Sequence, residues 1–176
     1  MLSVKEIPNI IAILETNLSD NNPLNVSIPG YSFLGVNSKT SAGGVGLYVS
    51  ENINFKRRND LDLHLLEGLE NCWIEIERVK QKNVVIGCIY RHPSQNRECF
   101  HLAMKSKLEI LNNESCEVYI TGDINIFFRY NTDNQTSEYL DMLLNLGYLP
   151  ILHCNTEVAN YSQVSLRSEM LPTILM

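Results

Sequence analysis

An α/β fold, with two mainly antiparallel sheets packed face to face and helices outside, is the class this sequence predicts. The first half reads as a succession of short strands and the second half as helix, strand, helix, strand. There is no long βαβ series and no internal repeat. The 176 residues suit a single domain, 1–176, with a real core. A balance of 44% apolar to 19% charged residues is that of an ordinary soluble globule, not of a disordered chain.

Each element has a local reason. Residues 1–8 read as a helix end stopped by Pro8. Residues 10–14, Ile-Ile-Ala-Ile-Leu, have the length and branching of a strand buried on both faces. Pro23, Pro29 and Gly30 make 19–30 a loop. Strands follow at 31–36 and 45–49 across a turn at 38–44, and 53–57 continues the meander. Gly43, Gly44 and Gly46 are a weak phosphate-loop candidate. The Lys-Ser/Thr of a P-loop and its helix are missing, so a hairpin with close backbone approach suits them better. The stretch 61–71 is irregular and acidic. The run 72–79 then alternates, Trp73 and Glu75 on one face and Ile74 and Ile76 on the other, as in a half-buried strand. A turn at 81–83 and the apolar run 84–90 complete an antiparallel hairpin. It exits through Tyr90-Arg91-His92-Pro93, where proline forces an extended or turned backbone.

Residues 96–111 carry Phe100, Met104, Leu108 and Leu111 at helical spacing, which core packing explains fully. A buried strand begins at Glu117, and Gly122 reads as its break and the start of a sharp turn. Thr132 and Gln135 fit a capping box for a helix at 138–146, with Leu140, Leu143 and Leu144 inward and Gly147 as its C-cap. A short strand at 149–153 follows. A last one at 164–166 is interrupted by Arg167-Ser168-Glu169 and Pro172.

Composition also bounds function. A net charge of −6 argues against coating nucleic acid by long-range attraction alone. A polyanion would need local basic residues and a divalent cation. Lys56-Arg57-Arg58 is the one tight basic cluster, and such a triplet is more often a solvated strand end. Five cysteines without a Cys-x-x-Cys pair read as reduced thiols of an intracellular protein, nuclear or cytoplasmic. No apolar run reaches membrane-spanning length, and 1–10 does not read as a signal peptide.

The stretch that carries chemistry is 117–125, Glu-Val-Tyr-Ile-Thr-Gly-Asp-Ile-Asn. In extended backbone Asp123 and Asn125 point to one side. A carboxylate there can hold a metal or orient water, and an amide can donate to an anionic oxygen. The blander reading is a polar turn in which both cap backbone amides. Glu15, at the end of its own strand, is likewise either a metal ligand or a surface residue.

Four segments together resemble one family: Ile10-Ile11-Ala12-Ile13-Leu14-Glu15-Thr16, Gly43-Gly44-Val45-Gly46-Leu47-Tyr48-Val49, Gly87-Cys88-Ile89-Tyr90-Arg91-His92-Pro93-Ser94 and Ile120-Thr121-Gly122-Asp123-Ile124-Asn125. In this order they look like the endonuclease/exonuclease/phosphatase superfamily. More narrowly, they look like the apurinic-like endonuclease domain of non-LTR (LINE-type) retrotransposons. The similarity covers about 9–162, with 163–176 a divergent tail. It implies a four-layer α/β sandwich and Mg2+-assisted phosphodiester hydrolysis, Mn2+ being an alternative ion, that nicks DNA to prime reverse transcription. DNA and a reverse transcriptase domain are the implied partners, without a membrane. By resemblance Glu15 is the metal ligand and Asp123 the residue that orients the attacking water. Asn125 holds a phosphate oxygen, Tyr90 contacts the scissile phosphate, and Arg91 is a substrate-binding residue beside it.

The sequence also departs from the family. Family members begin with an Asn-bearing strand and a helix, and this chain starts after both. They end in a Ser-x-x-x-x-Asp-His pattern, and aligning Asn160-Tyr161-Ser162 with it puts Arg167 and Ser168 where Asp-His should be. The fold is therefore expected to be incomplete at the N-terminus and near the C-terminus, and the catalytic set impaired. Neither His92 nor His153 stands where the family uses histidine. A non-catalytic relic or interaction domain and a small-molecule phosphoesterase of the same superfamily are the alternatives.

Overall fold

The computed structural model describes residues 7–18, 27–38, 43–63, 67–126, 134–152 and 164–168, with 151–152 and 164–168 described by backbone alone. Strands β1 (Ile10–Leu14), β2 (Tyr31–Val36) and β3 (Val45–Ser50) form an antiparallel sheet in the order β1-β3-β2. Strands β4 (Phe55–Arg57), β5 (Leu69–Ile76), β6 (Val84–Arg91), β7 (Glu117–Asp123), β8 (Tyr148–Leu152) and β9 (Val164–Ser168) form a second sheet, ordered β4-β5-β6-β7-β9-β8. Its pairings are antiparallel except β6 with β7, which run parallel and are joined through helix α1 (Arg97–Asn113). Helix α2 (Asn134–Asn145) precedes β8.

The strand period of two decides what each face buries. On β5 and β6, Cys72, Ile74, Cys88 and Tyr90 meet Val45, Leu47 and Val49 of the small sheet. Their neighbours Trp73, Val85 and Ile89 point the other way, onto Phe100, Met104 and Leu108 of α1. Tyr139, Met142 and Leu143 of α2 extend the same cluster. Three layers result among the described residues: small sheet, large sheet, helix pair. The helix layer that the resemblance implies over the small sheet has no counterpart among them.

Several elements differ from the sequence reading for identifiable reasons. Strand β1 is half-buried throughout, because it lies at an edge of the small sheet. The segment at 55–57 leaves the first meander and pairs with β5 in the other sheet. Strand β5 starts at Leu69, inside the stretch that reads as irregular, and both its faces are buried. Its Glu75 is 7% exposed because Arg58 covers it. Helix α1 is capped by Asn96, whose side chain accepts from the Cys99 N–H at 2.9 Å. The inward face of α2 is Thr136, Tyr139, Met142 and Leu143. Leu144, one position on and about 100° round the helix, is 51% exposed. Gly147 (φ +80°) closes this helix as expected. Strand β9 runs through Arg167 and Ser168 instead of stopping before them. The capping-box Thr132, the family-alignment residues 160–162, His153 and the helix end at 1–6 lie outside the described residues.

The basic triplet proves structural. Lys56 pairs with Glu75 and Glu77, and Arg57 with Asp62. Arg58 bridges Asp60, Glu75 and Glu114 at 2.7–2.8 Å, tying β5 to the C-terminal end of α1. These bonds hold its guanidinium well above the usual arginine range, Asp60 contributing most.

Candidate active site

The ends of β1, β6 and β7 meet at one rim of the sandwich. Tyr90 stands opposite Asp123 in the parallel β6–β7 register and opposite Glu70 in the antiparallel β5–β6 register. Glu70, Tyr90 and Asp123 therefore form a row across three strands, all on the face turned to the small sheet. Glu15 reaches this row from the other sheet. It follows β1 directly, with φ +51°. Backbone bonds from the Thr16 N–H to Gly44 O and from the Asn17 N–H to Gly43 O hold its turn in place.

The row is buried on the large sheet and open at Glu15. Tyr90 is 4% exposed, and Asp123 and Glu70 are each 6% exposed. Glu15 is exposed. The Tyr90 hydroxyl is pushed up to about 12, by burial first, then by its hydrogen bond to the Glu15 carboxylate and the charges of Glu15, Asp123 and Glu70. The phenol thus stays protonated at neutral pH and is a donor. Three carboxylates acting on one phenol make the rim strongly negative, the setting a hard cation prefers.

Glu70 has no signal in the sequence beyond sitting in an acidic segment. The structure places its carboxylate beneath the glycine turn. The Ser38 hydroxyl donates to Glu70 Oε1 at 3.4 Å. A Cβ added at Gly43 would lie 3.1 and 3.3 Å from the two Glu70 oxygens. Gly43 thus gives this carboxylate room, in keeping with the close-approach reading of the glycines and not with a phosphate loop.

Asp123 and Asn125 are not held by a continuous strand, as the i, i+2 reading assumes. The strand ends at Asp123, and Asn125 sits in the left-handed region at φ +52°. The Asn125 N–H donates to Asp123 Oδ1 at 2.9 Å, so the backbone-capping reading of Asp123 holds as well. The Asn125 amide Nδ2 donates to Arg91 O at 2.7 Å. An amide nitrogen carries two hydrogens, so one is left for another acceptor.

Arg91 does not share the cleft with Tyr90. Successive strand residues face opposite sides, and Arg91 is turned into the helix-covered face, 0% exposed. Its guanidinium donates to the carbonyl oxygens of Ile124, Asn125 and Gln95. Positions 167 and 168 also lie apart from the row. Strand β9 is antiparallel to β7 with Arg167 opposite Tyr119. That is four residues from Asp123, about 13 Å along the strand. Of the histidines singled out above, His92 shares a 2.8 Å hydrogen bond with Ser94 Oγ.

No protein-family model matches the chain, and no curated protein matches it. Solved structures do. The endonuclease domain of TRAS1, a telomere-specific non-LTR retrotransposon, superposes with a TM-score of 0.67 at 13% identity, over 92% of this chain and 72% of that one. The Xenopus laevis APE2 catalytic domain gives 0.62 at 13% identity, over 91% and 74%. The human Nocturnin catalytic domain with bound sulfate gives 0.58 at 16% identity, over 92% and 70%. On its architecture, the chain has the endonuclease/exonuclease/phosphatase-type fold.

Proposed function

We propose that this chain is a retrotransposon-type endonuclease domain that cleaves a phosphodiester of DNA with the help of Mg2+, Mn2+ being an alternative. The observation that carries the reading is that Tyr90 and Asp123 stand opposite each other at adjacent strand ends, with the Glu15 turn of the other sheet pinned beside them to Gly43 and Gly44. The donor set fits the ion by its chemistry. Glu15 offers carboxylate oxygens, although among the described residues no three His, Cys, Asp or Glu stand close enough together to hold an ion by themselves. Mg2+ characteristically takes one or two carboxylates and keeps several waters. Glu15, exposed at the rim, is the residue to hold it, and a bound ion would stabilise charge on the phosphate and the leaving oxygen.

The other roles belong to the chain itself. Asp123, steadied by the Asn125 N–H, accepts from and orients the attacking water. Tyr90, kept neutral, has one hydroxyl hydrogen, which faces the Glu15 carboxylate here; with Glu15 engaged on an ion, that hydrogen is released to a phosphate oxygen. Asn125 donates its remaining amide hydrogen to another. A reverse transcriptase domain is the partner this reading implies in the intact element. A non-catalytic domain of the same fold is the second reading, favoured by His92 being engaged with Ser94 instead of with the row.

Nicking of supercoiled plasmid with Mg2+ or Mn2+, run beside a small phosphodiester, tests the proposal. Asp123→Ala is expected to lower nicking by roughly 10²- to 10⁴-fold. Metal-independent nicking, or nicking indifferent to this substitution, refutes it. Turnover confined to the small ester assigns the fold to phosphoesterase work instead.

A further inference from the structure

Arg91 presents a physical puzzle. It is a cation with no exposed surface, and no ion pair among the described residues includes it. A buried charge of this kind is costly unless its donors are all used. Burial does push the guanidinium below its ordinary value. Its partners are neutral carbonyls drawn from two short segments. Nε donates to Ile124 O at 2.5 Å and Nη2 to Asn125 O at 2.8 Å. Nη1 donates to Gln95 O at 2.5 Å and, more weakly, to His92 O at 3.4 Å. The Phe100 ring, 5.8 Å from Cζ, covers the group.

The bonding also runs in the opposite direction. The Asn125 side chain donates to the main-chain oxygen of Arg91, and the Asn125 N–H holds Asp123 Oδ1. One arginine thus grips the turn 124–125 by its side chain and is gripped by that turn through its backbone. Asn125 is held at a positive φ that an asparagine adopts at a cost, and the two carbonyl bonds flank that residue. A planar guanidinium presents its donors in a fixed fork, so it sets the angle as well as the distance between the segments.

We propose that Arg91 is a positioning residue for the reaction, acting through Asn125 and Asp123 from behind the sheet, and not a phosphate-contacting group. The claim rests on the nuclease reading above, and it assigns Arg91 a mechanical role in place of an electrostatic one. Lysine keeps the charge but brings a single nitrogen, which does not reach three carbonyls in the fork geometry.

Two measurements on Arg91→Lys and Arg91→Gln test it. The first needs no activity: hydrogen exchange of the Asn125 backbone amide and the position of its side-chain NH2 resonance in 15N-labelled protein. Faster exchange and a shifted resonance in both variants are expected, while amides of β3 stay as in the parent. The second is nicking, where kcat is expected to fall about 10- to 100-fold with KM changed less than about threefold, as for displaced catalytic groups. Partial restoration of Arg91→Ala by added methylguanidinium is expected to accompany recovery of the Asn125 resonance.

A raised KM with unchanged kcat overturns the proposal, because that is the mark of direct phosphate contact. An unchanged Asn125 signal in folded variants overturns it too. Failure of all three variants to fold also overturns it, since the residue then serves the fold alone. If the parent chain does not nick, the nuclease reading fails by that result. The Asn125 signals still decide whether Arg91 sets the turn.

Discussion

Gly122 carries a sharp prediction because its steric margin is negative. It lies one residue before Asp123, opposite Ile89 in the β6–β7 pairing, with φ +151°. A Cβ placed there would stand 1.8 Å from Ile89 O, where real Cβ atoms essentially never come within 3.0 Å. Gly122→Ala must therefore open the strands locally by about 1.2 Å, since the obstacle is backbone and not a side chain that swings away. Two costs follow: roughly 1–2 kcal/mol for a non-glycine residue in this region, and about 1 kcal/mol for each of one or two stretched ladder bonds. The sum is about 3 kcal/mol. For a chain of this size that lowers Tm by roughly 6–12 °C. Paired thermal and urea melts measure it, and the nicking assay should fall with them because Tyr90 and Asp123 face each other across the same two strands. A variant that melts within about 2 °C of the parent, at unchanged m-value, refutes the reasoning.

Further outcomes can be stated briefly. Arg58→Met takes from buried Glu75 its closer cation and leaves it Lys56 at 3.3 Å. It should cost about 2 kcal/mol by urea titration, less than the roughly 3–5 kcal/mol of a fully buried pair because Asp60 and Glu114 are partly solvated. The same network sets the acid limit. The Arg58 hydrogen bond holds Asp60 below its ordinary 3.8. At Glu75 burial acts upward, but the bonds from Asn83, Arg58 and Lys56 outweigh it and leave the carboxyl below 4.5. Folded values below unfolded ones mean stability that is complete above about pH 4.5 and lost as pH falls through the lowered values. The limb should flatten in Arg58→Met, and an identical limb in that variant contradicts the assignment. At the alkaline end the sign reverses for Tyr90. A phenol raised to about 12 contributes stability present below 10 and lost as pH climbs toward 12, and Tyr90→Phe should remove that share from the alkaline melt.

How much could be read from the sequence depended on whether the information was local. The strand from Glu117, the hairpin through Trp73 and Tyr90, and the helix with Phe100, Met104 and Leu108 inward all follow from short-range patterns of period two or 3.6. Gly122 reads as a strand break, yet it pairs opposite Ile89 and the strand runs on to Asp123, because the neighbouring strand accepts a residue without a side chain there. Glu70 escaped notice because an acidic residue in an acidic stretch looks solvated. Its place beside Tyr90 is fixed only by inter-strand register. Arg91 was readable in principle, since alternation along a strand already turns it away from Tyr90, but its carbonyl partners come from 92–95 and 124–125. On α2 only Leu143 of the three leucines expected inward is buried; Leu140 is half-buried and Leu144 exposed, because leucine content alone does not say which side meets the sheet.

Glu15 and Asp123 belong to different sheets, 108 positions apart, whereas the sole tryptophan lies between the large sheet and its helices. A form with the small sheet peeled away would therefore keep Trp73 shielded and yet have Glu15 parted from Tyr90 and Asp123. Fluorescence would report an intact protein in which the proposed nicking had already ceased. Inactivation is accordingly expected at lower denaturant than the optical transition, by the margin with which one sheet holds to the other.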